Sequence, residues 1–318
     1  MKYRQLGGTG LDVSILSYGA SSLGSVFRDT EEKESIQTVH EAINCGINLI
    51  DVSPYYGHTK AETVLGKALR TVPRDQYILS TKAGRYGEDV FDFSRDRIHS
   101  SLEESLKRLH TDYMDILLLH DVEFESSRVI LEEAVPALKE LKKQGKIRLY
   151  GICGLPLPMF EELLPQMDAD VIISYCHYSL NDTTLLSLLP LLESRQVGLI
   201  NASPLSMGLL GTRGAPDWHP ASNEVKEACR RAAEYCKTQG TDIAKLALQF
   251  STSNEDIPTT LVSTANPGNI RRNAAWTEEK LDPQLLQEVL ERLKPITNQT
   301  WLSGRPEYNK HLQRKQGD

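Results

Sequence analysis

The segment Tyr77–His120, with the sequence YILSTKAGRYGEDVFDFSRDRIHSSLEESLKRLHTDYMDILLLH, decides the fold. Two apolar runs, Tyr77–Lys82 and Tyr113–His120, flank the stretch Asp96–Leu109, in which apolar residues recur at helical spacing. Strands that are apolar throughout are typical of parallel sheets whose faces are covered by helices. The segment therefore predicts a strand, a helix and a second, parallel strand.

The same alternation extends over most of the chain. Strands are predicted to end near Gly19 and to cover Ile47–Asp51, Tyr77–Lys82, Tyr113–His120, Ile147–Ile152, Val171–Tyr175, Gly198–Ala202 and Thr259–Val262. Helices are predicted at Glu32–Asn44, Ala61–Arg70, Asp96–Leu109, Ser127–Gln144, Met159–Leu164, Thr183–Arg195, Asn223–Phe250, near Ile270 and at Gln284–Leu293. A hairpin that turns at Gly7–Gly10 precedes the first of these strands.

Two features favour a closed barrel over an open doubly wound sheet. The strand count reaches eight, and no G-x-G-x-x-G motif follows the first strand. We therefore predict an α/β fold, a (β/α)8 TIM barrel with an N-terminal β-hairpin, as a single domain over residues 1–318. The polar tail at 305–318 is expected to be poorly ordered.

The bulk composition narrows the class of partner. The 43 acidic and 36 basic residues give a net charge of -7, which argues against nucleic acid as a partner. Five cysteines without a CxxC pair, an N-terminus without an apolar segment, and no apolar run of membrane-spanning length together predict a cytoplasmic protein without a membrane partner. Neither H-x-H nor H-E-x-x-H occurs, so no metal site is predicted. The oligomeric state does not follow from the sequence.

Chemistry-bearing side chains end three successive predicted strands. These are Asp51, Lys82 and His120, and Tyr56 lies on the loop that follows Asp51. The carboxyl ends of barrel strands form the rim where active sites are built, so the four groups are expected to lie close together. The alternative is that polar residues simply end strands where solvent begins, but three strands with complementary chemistry favour a site.

The four side chains suit a reaction that moves one proton and one hydride. The ordinary pKa of tyrosine, about 10, is too high for a base near neutrality. A nearby ammonium group favours the phenolate, so Lys82 is expected to make Tyr56 more acidic, and His120 to orient the phenol. Asp51 would hold Lys82 in place. Tyr56 would then donate a proton to a carbonyl oxygen, or accept one from an alcohol.

Four segments resemble the aldo-keto reductase family in residue type and order. They are Asp51–Gly57 (DVSPYYG), Thr81–Lys82 (TK), Tyr113–His120 (YMDILLLH) and Ala202–Leu210 (ASPLSMGLL). The resemblance spans nearly the whole chain. It implies a nicotinamide cofactor bound extended across the barrel mouth and a catalytic tetrad of Asp51, Tyr56, Lys82 and His120.

The resemblance also implies which residues bind the cofactor. They are Gly19, Ala20, Ser21, Ser174, Tyr175, Ser203, Pro204, Leu205, Met207, Gly208, Ser263, Asn269 and Asn273. Cys153–Gly154 stand where the family commonly has Ser-Asn for the nicotinamide carboxamide, which leaves that role to backbone groups or Tyr175. Ser263 and Asn269 stand where NADP-selective members carry Lys or Arg, which favours NAD. NADP stays open because Arg271 and Arg272 are near.

Further segments resemble one group within the family, the L-galactose dehydrogenases and related aldose 1-dehydrogenases. They include Ala83–Tyr86, His120–Phe124, Ile152–Pro156, Ser174–Tyr178 and Asp217–Ala221. The resemblance implies oxidation of an L-galactose-like or L-fucose-like sugar at C1 to its lactone. The residues expected to contact this small-molecule sugar substrate are Tyr55, Arg85, Asp121, Phe124, His177 and Trp218. Two alternatives remain, an NADPH-dependent reductase of small aldehydes or ketones and a nucleotide-sensing binding subunit.

Overall fold

Eight parallel strands close into a barrel in the computed structural model, which describes residues 1–26 and 28–310. A two-stranded antiparallel sheet precedes it, made of β1 (Tyr3–Gln5) and β2 (Asp12–Ser14). The barrel strands are β3 (Leu16–Gly19), β4 (Leu49–Asp51), β5 (Ile78–Ala83), β6 (Met114–His120), β7 (Ile147–Gly154), β8 (Val171–Tyr175), β9 (Gly198–Ala202) and β10 (Thr259–Ser263). Neighbours follow chain order, and β10 pairs with β3 to close the ring. The predicted TIM barrel with an N-terminal hairpin is confirmed.

Helices cover the outside of the barrel. They are α1 (Glu32–Asn44), α2 (Lys60–Leu69), α3 (Arg95–Leu109), α4 (Ser127–Val129), α5 (Val135–Lys143), α6 (Leu157–Leu163), α7 (Leu189–Ser194), α8 (Asn223–Thr238), α9 (Ile243–Ser253), α10 (Pro267–Trp276) and α11 (Pro283–Leu293). A π-helical turn, Ile130–Ala134, joins α4 to α5. Over the residues that the structure describes, none of these helices combines the length and apolar character needed to cross a membrane.

One predicted helix was wrong. The single helix expected over Asn223–Phe250 is broken, because Gly240 takes a φ of +73° after α8 and the Asp242 carboxylate caps the start of α9 by accepting from the Ala244 N–H at 2.9 Å. At the start of the predicted tail, a 3-10 turn over Pro306–Asn309 buries Tyr308. Residues 311–318 of that predicted tail lie outside the described residues.

The N-terminal hairpin leaves only one end of the barrel open. Leu6 and Val13 of the hairpin pack in one buried cluster with the strand residues Leu49, Ile116 and Ile200, so they plug the barrel interior. At the adjoining turn the backbone of Gly7 lies so close to that of Gly198 that a Cβ atom on Gly7 would come within 2.6 Å of the Gly198 nitrogen. The opposite end, where the strands finish at their carboxyl ends, carries the polar residues.

Candidate active site

The structure brings Asp51 and Lys82 together as a buried ion pair at the carboxyl rim. The Lys82 ammonium donates to Asp51 Oδ1 and, at 2.9 Å, to the Val52 carbonyl oxygen. The second carboxylate oxygen of Asp51 accepts from the Ser80 hydroxyl at 2.8 Å. The side chain of Lys82 is only 2% exposed and that of Asp51 only 4%, so solvent hardly screens the attraction between the two charges. The pair forms because β4 and β5 are aligned with Asp51 opposite Ser80, two residues before Lys82.

Tyr56 lies between this ion pair and His120. The Lys82 Nζ atom is 5.0 Å from the centroid of the Tyr56 ring. The His120 ring meets that of Tyr56 edge to face, with 5.6 Å between the centroids. Gly24 fixes the loop from the other side, since a Cβ atom there would come within 2.6 Å of the Tyr56 carbonyl oxygen. The four predicted catalytic side chains therefore form one cluster, and Gly24 is a positioning residue that the sequence did not reveal.

The prediction that Lys82 lowers the pKa of Tyr56 is confirmed in direction, but burial, which the sequence did not reveal, outweighs it. Burial raises the pKa of Tyr56 above its ordinary value, and the charge of Lys82 lowers it by less. Burial alone would lower the pKa of Lys82, but the charges of Asp51 and Tyr56 raise it overall. The cluster thus holds a protonated phenol beside a firmly charged ammonium group.

His120 is held as a neutral imidazole. Burial, with the charges of Lys82 and Arg85, lowers the pKa of His120 well below its usual range. The Ser53 hydroxyl lies 2.9 Å from His120 Nδ1 and so fixes the orientation of the ring. Ser53 was not identified from the sequence, although it belongs to the Asp51–Gly57 segment.

Four of the predicted substrate residues form a second cluster next to His120. The Arg85 guanidinium contacts Asp121 Oδ2 at 2.5 Å and the Tyr55 hydroxyl at 3.3 Å. It also lies over the Tyr55 ring, at 4.1 Å from the centroid, and within 5.5 Å of the centroid of Phe124. Phe91, which the sequence did not single out, stacks on Phe124 with centroids 4.6 Å apart. Asp121 Oδ2 is 3.7 Å from His120 Nε2, so this Arg85 cluster adjoins Tyr56 and His120.

The other two predicted substrate residues are placed differently. His177 is buried and its Nδ1 atom contacts the Thr184 hydroxyl at 2.9 Å. It lines a pocket formed with residues 155–158 and with Asn298, Thr300 and Trp301, outside the Arg85 cluster. Trp218 is 54% exposed in the segment between β9 and α8, and its ring stacks on His219. The structure therefore gives His177 a different setting from the one predicted.

The predicted cofactor residues at the ends of β3 and β10 lie close together. Gly19 pairs with Ser263, and the hydroxyls of Ser21 and Ser22 lie 2.9 and 2.7 Å from the Ser263 hydroxyl. Ala20 is buried at the start of the 3-10 turn Ala20–Gly24, which also carries Ser21 and Ser22.

At the start of α10, the side chain of Asn266 caps the helix by accepting from the Asn269 N–H at 2.9 Å. Arg272 donates to the Asn269 side chain at 2.5 Å, whereas Arg271 is paired with Glu41 at 2.9 Å. Asn273 lies one turn after Asn269 on the same helix. Arg272 is thus the basic side chain beside Asn269, one of the two positions predicted to distinguish NAD from NADP, and Arg271 is turned towards α1.

The loops after β8 and β9 offer groups that fit a dinucleotide. The Ser174 hydroxyl is buried and has no hydrogen-bond partner among the described residues, whereas the Tyr175 hydroxyl bonds to Asp121. Of these two hydroxyls, that of Ser174 is therefore the one that can bond to the carboxamide of a nicotinamide cofactor. The loop after β9 contains the predicted residues Pro204 and Leu205. Its backbone is left-handed at Ser203, Met207 and Gly208, with φ of 58°, 52° and 107°. Such turns expose successive N–H groups that suit anions such as a pyrophosphate.

One group of potential metal ligands occurs in the described part of the chain. Single atoms of His120, Asp121 and Cys153 lie within 4.8 Å of one another. Asp121 already pairs with Arg85, and burial raises the pKa of the Cys153 thiol well above its usual value. The cluster is therefore better suited to hydrogen bonding than to a cation.

Glu123 is a buried carboxyl that sequence reasoning missed. It is fully buried, and its Oε1 atom accepts from the Leu155 N–H at 3.1 Å and the Ser303 hydroxyl at 2.9 Å. Its backbone carbonyl accepts from the Arg305 N–H at 2.8 Å. Burial, and then the charge of Asp121, raises the pKa of Glu123 to about 8. The residue ties the loop after β6 to the end of β7 and to the C-terminal segment.

We expect Glu123→Gln to reduce the loss of stability as the pH rises. The unfolded carboxyl gives up its proton above its ordinary pKa of 4.5, but the folded one keeps it up to about 8. Between these values the folded state binds more protons, so the free energy of unfolding of the wild type falls with rising pH, by at most about 1.4 kcal/mol per pH unit. Urea unfolding at pH 5 and pH 8 measures the slope, with the exposed Glu133→Gln as a control. Equal slopes in the wild type and Glu123→Gln would contradict the assignment.

Comparisons with known proteins agree with this geometry. The model of the Aldo/keto reductase family matches residues 15–293. L-galactose dehydrogenase of Arabidopsis thaliana is 50% identical over 96% of this chain and 98% of its own length. D-arabinose 1-dehydrogenase of Saccharomyces cerevisiae is 37% identical over 76% of each chain. The solved holo form of an aldo-keto reductase from Bacillus halodurans superposes with a TM-score of 0.78 at 26% identity, covering 97% of this chain and 99% of that one. The chain is thus an oxidoreductase that belongs to the aldo/keto reductase family.

Proposed function

We propose that the protein oxidises an aldopyranose at C1 to its lactone and transfers the hydride to NAD. The observation that carries the proposal is the Arg85 cluster, which sets donors and acceptors for hydroxyl groups directly beside Tyr56 and His120. The similarity to proteins named L-galactose dehydrogenase and D-arabinose 1-dehydrogenase supports the same substrate class.

The catalytic steps follow from the buried cluster. Tyr56 accepts the proton of the anomeric hydroxyl, and the nearby charge of Lys82 stabilises the phenolate that this requires. Asp51 keeps Lys82 charged and in place. Neutral His120, oriented by Ser53, can hydrogen-bond to the reacting oxygen without itself taking up the proton that Tyr56 accepts. When bound, the nicotinamide cofactor supplies the acceptor for the hydride that leaves C1.

The raised pKa of Tyr56 predicts how the rate of this reaction depends on pH. Burial raises the pKa of Tyr56, so the base form is the minor one near neutrality. Oxidation needs that form, whereas reduction of a carbonyl needs the protonated phenol. We therefore infer that the oxidation rate rises with pH through the neutral range.

Arg85 offers a direct test of sugar recognition. Arg85→Lys keeps the charge but loses the planar fork that joins Asp121 to the Tyr55 hydroxyl, so we expect KM for the aldose to rise about 10- to 100-fold, the equivalent of one charged hydrogen bond, with a smaller change in kcat. Steady-state kinetics measure both.

The matched control for this variant is Arg97→Lys. Arg97 also combines an aromatic contact, with Tyr86, and an ion pair, with Glu104, but it lies on α3. An unchanged KM in Arg85→Lys, or an equal rise in both variants, would count against the Arg85 cluster as the sugar site.

The choice of NAD rests on the start of α10. Arg271 is occupied by Glu41, and Ser263 and Asn269 carry no charge for a 2′-phosphate. Arg272 favours the runner-up, an NADPH-dependent reductase of small carbonyls, because it lies against Asn269.

The experiment that tests the proposal is reduced-cofactor formation with L-galactose, L-fucose, D-arabinose and D-galactose, run with NAD and NADP in parallel. We expect turnover with one stereochemical group of aldoses and a preference for NAD. Faster NADPH-driven aldehyde reduction than aldose oxidation would make the reductase the better description. Cofactor binding without turnover on any aldose or carbonyl would instead support a nucleotide-sensing subunit.

A further inference from the structure

A pocket of about 360 Å³ lies beside the barrel rim, apart from the four catalytic side chains. Residues 155–158, after β7, form one wall, and His177, Asp182 and Thr184, after β8, form the second. The third wall is formed by residues of the C-terminal segment, Asn298, Thr300, Trp301 and Asn309. We call it the C-terminal pocket. Its volume falls within the range of small-molecule sites.

Three buried polar atoms of residues that line the C-terminal pocket have no hydrogen-bond partner within the described residues. They are His177 Nε2, Asp182 Oδ2 and Thr300 Oγ1. His177 is 4% exposed and Asp182 only 1%. Each such atom destabilises a folded protein by about 1–3 kcal/mol unless something bonds to it. His177 Nε2 and Thr300 Oγ1 are unpartnered among the described residues, and Asp182 Oδ2 has a 3.4 Å contact with His177 Nδ1 that is not a hydrogen bond. Together the three atoms point to a partner bound in the pocket.

The neighbouring contacts determine what His177 offers. The Thr184 hydroxyl has one proton, which it donates to Asp182 Oδ1 at 2.5 Å. Its contact with His177 Nδ1 at 2.9 Å therefore requires an N–H on that nitrogen, and Asp182 Oδ2 lies 3.4 Å from the same atom. In the neutral ring, Nε2 is then a lone-pair acceptor without a donor among the described residues.

The rest of the lining defines the ligand. Asp182 and Glu161 are acidic, and no Lys or Arg of the described chain belongs to the lining, so anions are disfavoured and donors are needed. Leu155, Pro156 and the half-buried Trp301 supply apolar surface that suits the C–H face of a ring. We propose that the C-terminal pocket binds a small neutral ring that carries several hydroxyl groups. This inference does not depend on the reaction proposed above.

The test uses myo-inositol, a cyclic polyol without an anomeric carbon, and protein labelled with 15N-histidine. We expect a saturable shift of the His177 Nε2 resonance, assigned with His177→Gln, while the His120 resonance stays in place. Thr300→Val, which removes one hydroxyl at constant shape, should weaken binding about 3- to 10-fold, the equivalent of one neutral hydrogen bond. Ser35→Ala, which removes a buried unpartnered hydroxyl on α1, should leave the affinity unchanged.

Three outcomes would overturn the proposal. One is a His177 resonance that does not move when the myo-inositol concentration is 100-fold above the one that saturates any other site on the protein. In that case a crystal soaked in myo-inositol would also hold only ordered water in the pocket. Another is tighter binding of cyclohexylammonium than of myo-inositol, which would assign the pocket to a cation. The third is equal affinity in the wild type and Thr300→Val. Aldose oxidation by the same preparation is measured separately, so failure of that reaction is distinguishable from failure here.

Discussion

Tyr56→Phe is expected to lower kcat for aldose oxidation by about 10²- to 10⁴-fold, because it removes the only proton-transferring atom of the ring. The ring itself stays, with its contacts to Lys82 and His120, so the fold and the cofactor affinity should be preserved. Single-turnover kinetics and cofactor titration by fluorescence measure the two quantities independently.

The neighbouring Tyr55→Phe is the matched control for this variant. Tyr55 also contacts His120 edge to face, at 5.8 Å between centroids, but its hydroxyl bonds to Arg85. We expect Tyr55→Phe to act mainly on KM. A Tyr56→Phe enzyme that keeps more than a tenth of the wild-type kcat would assign the proton transfer to another group.

The barrel could be predicted from the sequence because strand and helix patterns were locally consistent. Val171–Tyr175 and Gly198–Ala202 were predicted at their observed bounds, since each is a short apolar run between polar segments. The Asn223–Phe250 helix was wrong because the break depends on the backbone conformation of one glycine and one capping carboxylate. Such local turn chemistry gives a weaker signal in the sequence than the helical periodicity of the residues on either side of it.

The candidate site was predictable where residues end strands and not where they meet across loops. Asp51, Lys82 and His120 could be placed on one rim because the barrel topology dictates it. Glu123 and Ser53 act through contacts with residues far along the chain, and no spacing rule connects them to their partners. The net rise in the pKa of Tyr56 was not predicted for a related reason, since the burial that causes it depends on the assembled fold.

The second large effect concerns the Asp51–Lys82 pair. Lys82→Met should lower the free energy of unfolding by about 3–5 kcal/mol, because it leaves the Asp51 carboxylate buried with the Ser80 hydroxyl as its remaining donor. It should also abolish measurable oxidation, since the phenolate of Tyr56 loses its nearest positive charge. Asp51→Asn should be destabilising as well, because the Lys82 ammonium then has only neutral partners.

The double variant Asp51→Asn/Lys82→Met separates stability from catalysis. With both charges removed, no uncompensated charge stays in the core, and the amide oxygen introduced at position 51 can still accept from Ser80. Stability should therefore recover to within about 1–2 kcal/mol of the wild type. The kcat of the double variant should stay as low as that of Lys82→Met, because the charge that stabilises the phenolate is still absent. Urea unfolding and kcat of all four proteins complete the cycle. If the double variant regained activity along with stability, the pair would serve the fold alone, and Tyr56 would need another source of its acidity.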